Sequence, residues 1–209
     1  MRSIAIPLEG VIPAETGESE LVAELKAGSE EAFAYLLSVY RNPVYGLVYR
    51  MVGNENDAAD VVQNVFVKII RGVRTFKAES SLKTWIFRIA VHETSNYRRS
   101  WFRRKRREVC SLDDDPREPA FVSLDLSGGV KTPYEELEQS ERQELIESAL
   151  GHVPEPFRSV LLLREIEGFS YDEIAAVLRL AEGTVKSRLV RGRELLRQRL
   201  STLLAESGK

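Results

Sequence analysis

Hydroxyl-bearing and cationic side chains occupy one face of a predicted helix near the C-terminus, within residues 182–200. Val185 and Leu189 mark its buried side, because residues four apart share a helix face. The outward residues are then Thr184, Lys186, Ser187, Arg188 and Arg191. Arginine can donate two hydrogen bonds to guanine, serine and threonine can bond to several bases, and lysine can neutralise phosphate. Lys and Arg outnumber Asp and Glu six to two in this range. We therefore predict a surface that contacts DNA in the major groove, and not a solvated face of mixed charge.

The residues before this helix predict how it is positioned. Ser170 can cap a short helix over 171–178, and Glu173 stands where it completes a capping box. The small Ala175 lets two helices cross closely. Two helices joined by a short turn predict a helix-turn-helix. Arg179 occupies the turn, where many such motifs have glycine.

Charge is strongly segregated along the chain, although the net charge is only −2. Residues 83–107 contain nine Lys or Arg and one acid, a balance of +8, and residues 110–147 contain eleven acids and three bases, a balance of −8. Such segregation is informative about partners. A basic cluster at the end of residues 83–107 predicts phosphate contacts, with a solvated helix end as the alternative. Its members are Arg98, Arg99, Arg103, Arg104, Lys105, Arg106 and Arg107.

The remaining composition argues against enzymes, metalloproteins and membrane proteins. Cys110 is the only cysteine, and two distant histidines add little to a metal site. The sequence lacks a Gly-rich phosphate loop and a credible pair of carboxylates, so we expect no catalysis, no cofactor and no metal. We also expect a cytoplasmic protein without membrane insertion of its own, because no apolar run reaches about 18 residues and no signal-peptide pattern is evident.

Helical periodicity predicts an all-α protein with two small helical domains, over 20–108 and 134–209, the second being the helix-turn-helix. Pro and Gly in 1–19 predict a flexible N-terminal arm, and residues 109–133 predict a flexible acidic linker. Three consecutive aspartates in that linker could mimic nucleic acid in a basic channel or simply be disordered. The predicted helices cover about 20–27, 29–52, 56–71 with Asn56 or Asp57 as its cap, 81–107, 134–150, 155–167, 171–178 and 182–205.

Three blocks of the sequence resemble one family, the bacterial RNA polymerase sigma factors of the extracytoplasmic-function class of the sigma-70 family. Residues 171–175 (Tyr-Asp-Glu-Ile-Ala) and 183–189 (Gly-Thr-Val-Lys-Ser-Arg-Leu) resemble its C-terminal helix-turn-helix. Residues 57–66 (Asp-Ala-Ala-Asp-Val-Val-Gln-Asn-Val-Phe) are similar to its core-polymerase-binding helix. Residues 84–90 (Thr-Trp-Ile-Phe-Arg-Ile-Ala) are similar to its promoter-melting helix. The blocks occur in the family's order and spacing.

The resemblance implies a sigma factor that binds core RNA polymerase and directs it to promoters. Residues 20–108 would be region 2, which docks on the clamp helices of the largest subunit, reads the −10 element and assists promoter melting. Residues 134–209 would be region 4, which reads the −35 element. The linker would thread into the core enzyme, which supplies catalysis and its Mg²⁺. An anti-sigma factor is a further expected partner, since sigma factors of this class are usually held by one.

The resemblance also assigns residues to these tasks. It implies polymerase contacts by Asp60, Gln63, Asn64 and Val67, although the family more often has an acid at the position of Asn64. For −10 recognition and melting it implies a loop that holds a flipped base and the polar face of the next helix. That set is Phe76, Lys77, Ser80, Ser81, Arg88, His92, Asn96, Arg98, Arg99 and Arg103. Trp85 is expected to pack in the core because of its spacing with Ile86 and Ile89.

The main alternative is a stand-alone helix-turn-helix regulator that uses only the second domain. It predicts a receiver or effector domain at the N-terminus. Residues 20–108 show neither a βα alternation nor an acidic phosphorylation pocket, so this alternative ranks second.

Overall fold

The structure, a computed structural model, describes residues 16–108 and 133–207, with the side chains of 17–105 and 142–206. These residues form eight α-helices and no β-strand, which confirms the all-α prediction. The helices are α1 (Thr16–Ala27), α2 (Glu30–Val52), α3 (Glu55–Gly72), α4 (Leu82–Glu108), α5 (Pro133–His152), α6 (Glu155–Leu161), α7 (Tyr171–Leu178) and α8 (Glu182–Ser207). A 3₁₀ turn, Val73–Thr75, follows α3, and a π-helical turn, Leu162–Ile166, continues α6. No helix within the described ranges is long and apolar enough to cross a membrane.

Helices α2, α3 and α4 enclose the core of the N-terminal module, which comprises residues 16–108. Its buried apolar side chains include Leu36, Val44, Leu47, Val62, Val65, Ile69, Ile86 and Phe87. Ser29 caps α2 as predicted, and Gly53, at φ 80°, ends it. Asn54 caps α3 by accepting a backbone N–H at 3.0 Å, so the prediction of Asn56 or Asp57 as the cap was wrong.

Helix α1 includes residues 16–19, so the prediction of a flexible arm is wrong for these four residues. A long-range contact accounts for the difference. The Glu18 carboxylate accepts the Leu82 backbone N–H at 2.8 Å and thereby satisfies a donor at the start of α4. Residues 1–15 of the predicted arm lie outside the described residues, as do residues 109–132 of the predicted linker, which include the three aspartates. Pro133, the last residue of the predicted linker, begins α5.

The C-terminal module, residues 133–207, contains the predicted helix-turn-helix in α7 and α8. The capping box is present: Ser170 Oγ accepts the Glu173 N–H at 3.4 Å, and the Glu173 carboxylate accepts the Ser170 N–H at 2.9 Å. Arg179 takes the left-handed conformation, φ 54° and ψ 50°, that glycine usually supplies at a helix end. Helices α6 and α8 cross closely, since a Cβ on Gly192 would lie 3.1 Å from Leu161 Cγ.

Candidate nucleic-acid interface

The N-terminal half of α8 has the buried and exposed sides that its sequence predicts. Val185 and Leu189 are buried, and they hold the helix against the rest of the module. The five predicted DNA-contacting residues lie on the remaining surface. Of these, the exposed ones are Lys186, Ser187 and Arg191, and the half-buried ones are Thr184 and Arg188.

Two of these cations are paired with acids on their own helix. Lys186 Nζ lies 2.6 Å from the Glu182 carboxylate, whose hydrogen bond raises the pKa of Lys186. Arg191 donates to Glu194 at 2.6 Å. Ion pairs this exposed are weak in water because solvent and salt screen them. A phosphate or a base edge can therefore displace either acid at little cost.

Helix α4 carries a polar ladder, a row of hydrogen-bonded side chains, on the face that the family resemblance assigns to the −10 element. Asn96 Nδ2 lies 3.1 Å from His92 Nδ1, and Arg99 donates to Asn96 Oδ1 at 2.7 Å. At the side of the ladder, Lys68 Nζ lies 2.6 Å from the Glu93 carboxylate. The ladder orients one imidazole, one amide and one guanidinium along a single line, which is a surface that can offer several hydrogen bonds to nucleic acid.

Three of the arginines predicted to contact phosphate, Arg98, Arg99 and Arg103, are not equivalent. Arg99 and Arg103 are exposed, as phosphate binding requires. Arg98 is half-buried, and burial lowers the pKa of its guanidinium. Its charge is close enough to Glu155 of α6 for the two to interact, so in this arrangement Arg98 faces the C-terminal module.

The loop before α4 differs in part from its predicted role. Phe76 is only 5% exposed, and its ring packs 5.1 Å from the Trp85 ring, so no base can reach it in this conformation. Trp85 is half-buried against the core, as expected. Lys77 is exposed and Ser80 is half-buried, while Ser81 caps α4 by accepting a backbone N–H at 3.1 Å. Only the polar part of the loop is therefore available to a ligand.

A separate exposed face lies on α3. All four residues assigned to polymerase contact point to solvent: Asp60, Gln63, Asn64 and Val67. Ile70 follows Val67 by three residues and is 46% exposed, which extends the face with a second aliphatic side chain. Sequence reasoning missed Ile70, although its helical spacing from Val67 was a usable signal.

The two modules contact each other directly, which the sequence did not predict. Phe169, between α6 and α7, packs edge-on against Phe87 of α4 with ring centroids 5.0 Å apart. Lys83 donates to the backbone carbonyl of Glu167 at 2.6 Å and lies 4.5 Å from the Phe169 ring centre. Arg88 Nε donates to the backbone carbonyl of Ala176 in α7 at 3.1 Å. The face of α4 that begins the predicted −10 surface is thus partly covered by the C-terminal module.

Buried polar groups complete this contact. Arg50 on α2 lies 3.2 Å from Glu147 on α5, and the two side chains are 5% and 0% exposed. Arg158 on α6 donates to the Arg50 carbonyl at 3.2 Å, and burial lowers the pKa of Arg158 to about 10. Burial also raises the pKa of Glu167 to about 7, although Lys83 opposes that change.

A cavity of about 630 Å³ lies between α4 and the helices α6 to α8. Arg88 and Arg188, which the family resemblance assigns to different promoter elements, both line it. Its walls also include apolar residues such as Ile89 and Val177. Among the described residues, no cluster of His, Cys, Asp and Glu is suited to a metal ion.

Two family models match the chain. Sigma-70 region 2 matches residues 36–107, and sigma-70 region 4 matches residues 143–196. The ECF RNA polymerase sigma-E factor of Haemophilus influenzae is 35% identical over 187 residues, which cover 90% of this chain and 97% of that protein. The RNA polymerase sigma-H factor of Pseudomonas aeruginosa is 30% identical, with 91% and 97% covered.

Two solved structures with the same fold are complexes of two proteins. CnrH in complex with the cytosolic domain of CnrY matches with a TM-score of 0.60 and 25% identity, covering 90% of this chain and 97% of CnrH. The sigma factor RpoE in complex with the anti-sigma factor NepR, from Bartonella quintana, matches with a TM-score of 0.65 and 22% identity, covering 81% and 96%.

Proposed function

This chain belongs to the extracytoplasmic-function class of sigma-70 family RNA polymerase sigma factors, and from that premise we propose that it divides its task among three surfaces. The α3 face binds core polymerase, the polar face of α4 reads the −10 element and assists melting, and α8 reads the −35 element. The protein is not itself an enzyme, because the core polymerase supplies the catalysis. It acts in the cytoplasm, where that polymerase works.

The basic face of α8 is the observation that carries this proposal. It presents hydroxyl and cationic side chains on the second helix of a capped helix-turn-helix, the element that enters the major groove in such motifs. Arg188 can read guanine with two hydrogen bonds, while Lys186 and Arg191 contact phosphates.

The α4 ladder and the loop before it form the second surface. His92, Asn96 and Arg99 can bond to base edges or to the backbone of a separated strand, and Arg103 extends the charge for phosphate. Phe76 is buried, so we assign base capture to the polar loop residues Lys77 and Ser80. Holding a base outside the stack offsets the few kcal/mol that unstacking costs.

An anti-sigma factor is a further partner that we propose. The sigma factor RpoE was solved in complex with the anti-sigma factor NepR, and CnrH was solved in complex with the cytosolic domain of CnrY. A protein that bridges both modules of this chain would cover the α4 and α8 surfaces together.

The variant Arg188→Ala tests the assignment of α8. We expect it to lose roughly 5- to 150-fold in discrimination between the −35 element and a changed element, since one two-bond base contact is worth about 1–3 kcal/mol. Core-polymerase binding should be unchanged. Arg193→Ala is the matched control, because Arg193 lies on the same helix but pairs with Glu165 at 2.7 Å. Loss of core binding in Arg188→Ala, or equal loss in the control, would contradict the assignment.

The double variant Asp60→Ala/Gln63→Ala tests the α3 face in the opposite direction. It should weaken binding to core polymerase while the isolated factor keeps its affinity for −35 duplex DNA. A double variant that removes an acid and an amide elsewhere on the N-terminal module, Glu20→Ala/Asn42→Ala, serves as the control. Normal polymerase binding by the α3 variant would show that the surface that binds core polymerase lies elsewhere.

A further inference from the structure

We propose that the cavity between α4 and the helices α6 to α8 binds a nucleoside monophosphate, with the phosphate on arginine side chains and the nucleoside on an apolar wall. The proposed function gives this cavity no ligand of its own, so the inference goes beyond it. The volume of about 630 Å³ lies within the range of roughly 300–1,000 Å³ that pockets for small molecules have. A DNA duplex, whose major groove alone is about 12 Å wide, cannot enter a cavity of this size.

Three guanidinium groups without an acidic partner line the cavity. They belong to Arg88, Arg179 and Arg188. Arg88 donates through Nε to the Ala176 carbonyl at 3.1 Å, which leaves its two terminal nitrogens for a ligand. Over the part of the chain that the structure describes, Arg179 and Arg188 make no hydrogen bond or ion pair. Guanidinium groups bind phosphate with paired, charge-assisted hydrogen bonds, so this side of the cavity suits a phosphate.

The two acidic residues of the cavity wall interact with other cations. The Glu93 carboxylate lies 2.6 Å from Lys68 Nζ. Glu155 interacts with the charges of Arg98 and Arg158, which do not line the cavity. The wall as a whole contains four Lys or Arg and two Glu, so its net charge is +2. A phosphate monoester carries a charge of about −1.5 to −2 at pH 7, which matches this value.

The rest of the wall suits a flat, partly apolar body. Val177 is buried, Ile89 and Leu178 are half-buried, and Trp85 contributes an aromatic surface. Ser95 adds a hydroxyl group to the same wall. A nucleobase has an apolar face that can stack and an edge that can form hydrogen bonds, so it can use both kinds of group. An aliphatic chain would instead leave the hydroxyl group without a partner.

Calorimetric titration of the free, full-length protein with adenosine monophosphate tests the site without polymerase or DNA. Failure of this inference is therefore distinct from failure of the proposed function. Inorganic phosphate and adenosine should each bind more weakly than adenosine monophosphate, because neither makes both sets of contacts. Absence of binding by adenosine monophosphate would overturn the inference. Phosphate that bound as tightly as the nucleotide would also overturn it, because the apolar wall would then have no role.

Two variants test the arginines. Arg188→Ala and Arg179→Gly should each weaken binding of adenosine monophosphate roughly 10- to 150-fold, the range for a hydrogen bond to a charged group. Arg179→Gly also relieves the left-handed backbone at φ 54°, so a loss of binding there does not reflect a strained fold. Arg193→Ala is the control, because Arg193 pairs with Glu165 and does not line the cavity. Unchanged affinity in both arginine variants, or an equal loss in the control, would overturn the inference.

The fluorescence of Trp85 tests where the nucleotide binds. The chain has two tryptophans, so Trp101→Phe leaves Trp85 as the only one. Adenosine monophosphate should change the emission of Trp85 over the same concentrations that give the calorimetric signal, since Trp85 lines the cavity. A calorimetric signal without any change in this emission would place the nucleotide elsewhere and overturn the inference.

Discussion

The buried Arg50–Glu147 pair should be strongly coupled in a double-mutant cycle. Its side chains are 5% and 0% exposed, with 3.2 Å between Arg50 Nη2 and Glu147 Oε1. The same carboxylate oxygen also accepts a hydrogen bond from Gln143 at 2.8 Å. Over the part of the chain that the structure describes, Arg50 Nε and Nη1 and Glu147 Oε2 have no hydrogen-bond partner. The two charges therefore depend mainly on each other.

This dependence sets the expected magnitudes. Arg50→Met or Glu147→Leu alone leaves one buried charge without its partner, which costs about 3–5 kcal/mol of stability. The double variant Arg50→Met/Glu147→Leu removes both charges. Its stability should equal or exceed that of the unchanged protein, because apolar replacements of a buried pair are often neutral or stabilising. The change in unfolding free energy of the double variant should thus be far from the sum of the changes in the two single variants.

Urea unfolding of the full chain, followed by circular dichroism, measures the cycle. A second cycle on Arg193 and Glu165, an exposed pair 2.7 Å apart with side chains 52% and 47% exposed, provides the control. That pair should couple by no more than about 1 kcal/mol. If the two single costs at Arg50 and Glu147 simply summed in the double variant, the reasoning on their mutual dependence would be refuted.

Three further changes have expected outcomes. Gly192→Ala should destabilise the protein by about 1–3 kcal/mol, because its Cβ would lie 3.1 Å from Leu161 Cγ. Gly183→Ala, which has open space around the new Cβ, should leave the stability unchanged or raise it, and thermal unfolding of both variants tests this difference. Arg179→Gly should raise the unfolding free energy by up to about 1 kcal/mol, because it relieves the left-handed conformation at φ 54°, and a loss in urea unfolding would contradict that. Burial raises the pKa of Glu167 to about 7 from 4.5, so its contribution to stability is complete below pH 4.5 and is lost as the pH rises through 7. Glu167→Gln should remove that loss, and equal pH profiles of the urea midpoint in both proteins would count against it.

Local sequence signals predicted most of the helices and the recognition motif. Helix α7 occupies 171–178 as predicted, because the capping box at Ser170 and Glu173 marks its start by contacts three residues apart. Position 179 has arginine where such turns usually have glycine, yet Arg179 adopts the left-handed conformation that glycine would take. Signals of this kind are complete within a few residues, so sequence alone can reveal them.

The features that sequence missed depend on partners far along the chain. Glu18 extends α1 because it meets Leu82, which is 64 residues away. The sequence places Phe76 in a loop, but its ring is buried against Trp85. Arg88 has the position of a solvent-facing residue, but it donates to a carbonyl of α7, 88 residues later. Helical periodicity identifies an outward face and gives no information on which distant element covers that face.

The most direct test of the proposed function is run-off transcription with purified bacterial core polymerase, with and without this protein, on genomic fragments that include the gene's own upstream region. A sigma factor that works through α3, α4 and α8 should produce transcripts from discrete starts that depend on the protein, with shared −35 and −10 sequences upstream. If no such transcripts appeared while residues 134–209 alone bound specific duplex DNA, a stand-alone regulator would replace the proposed function.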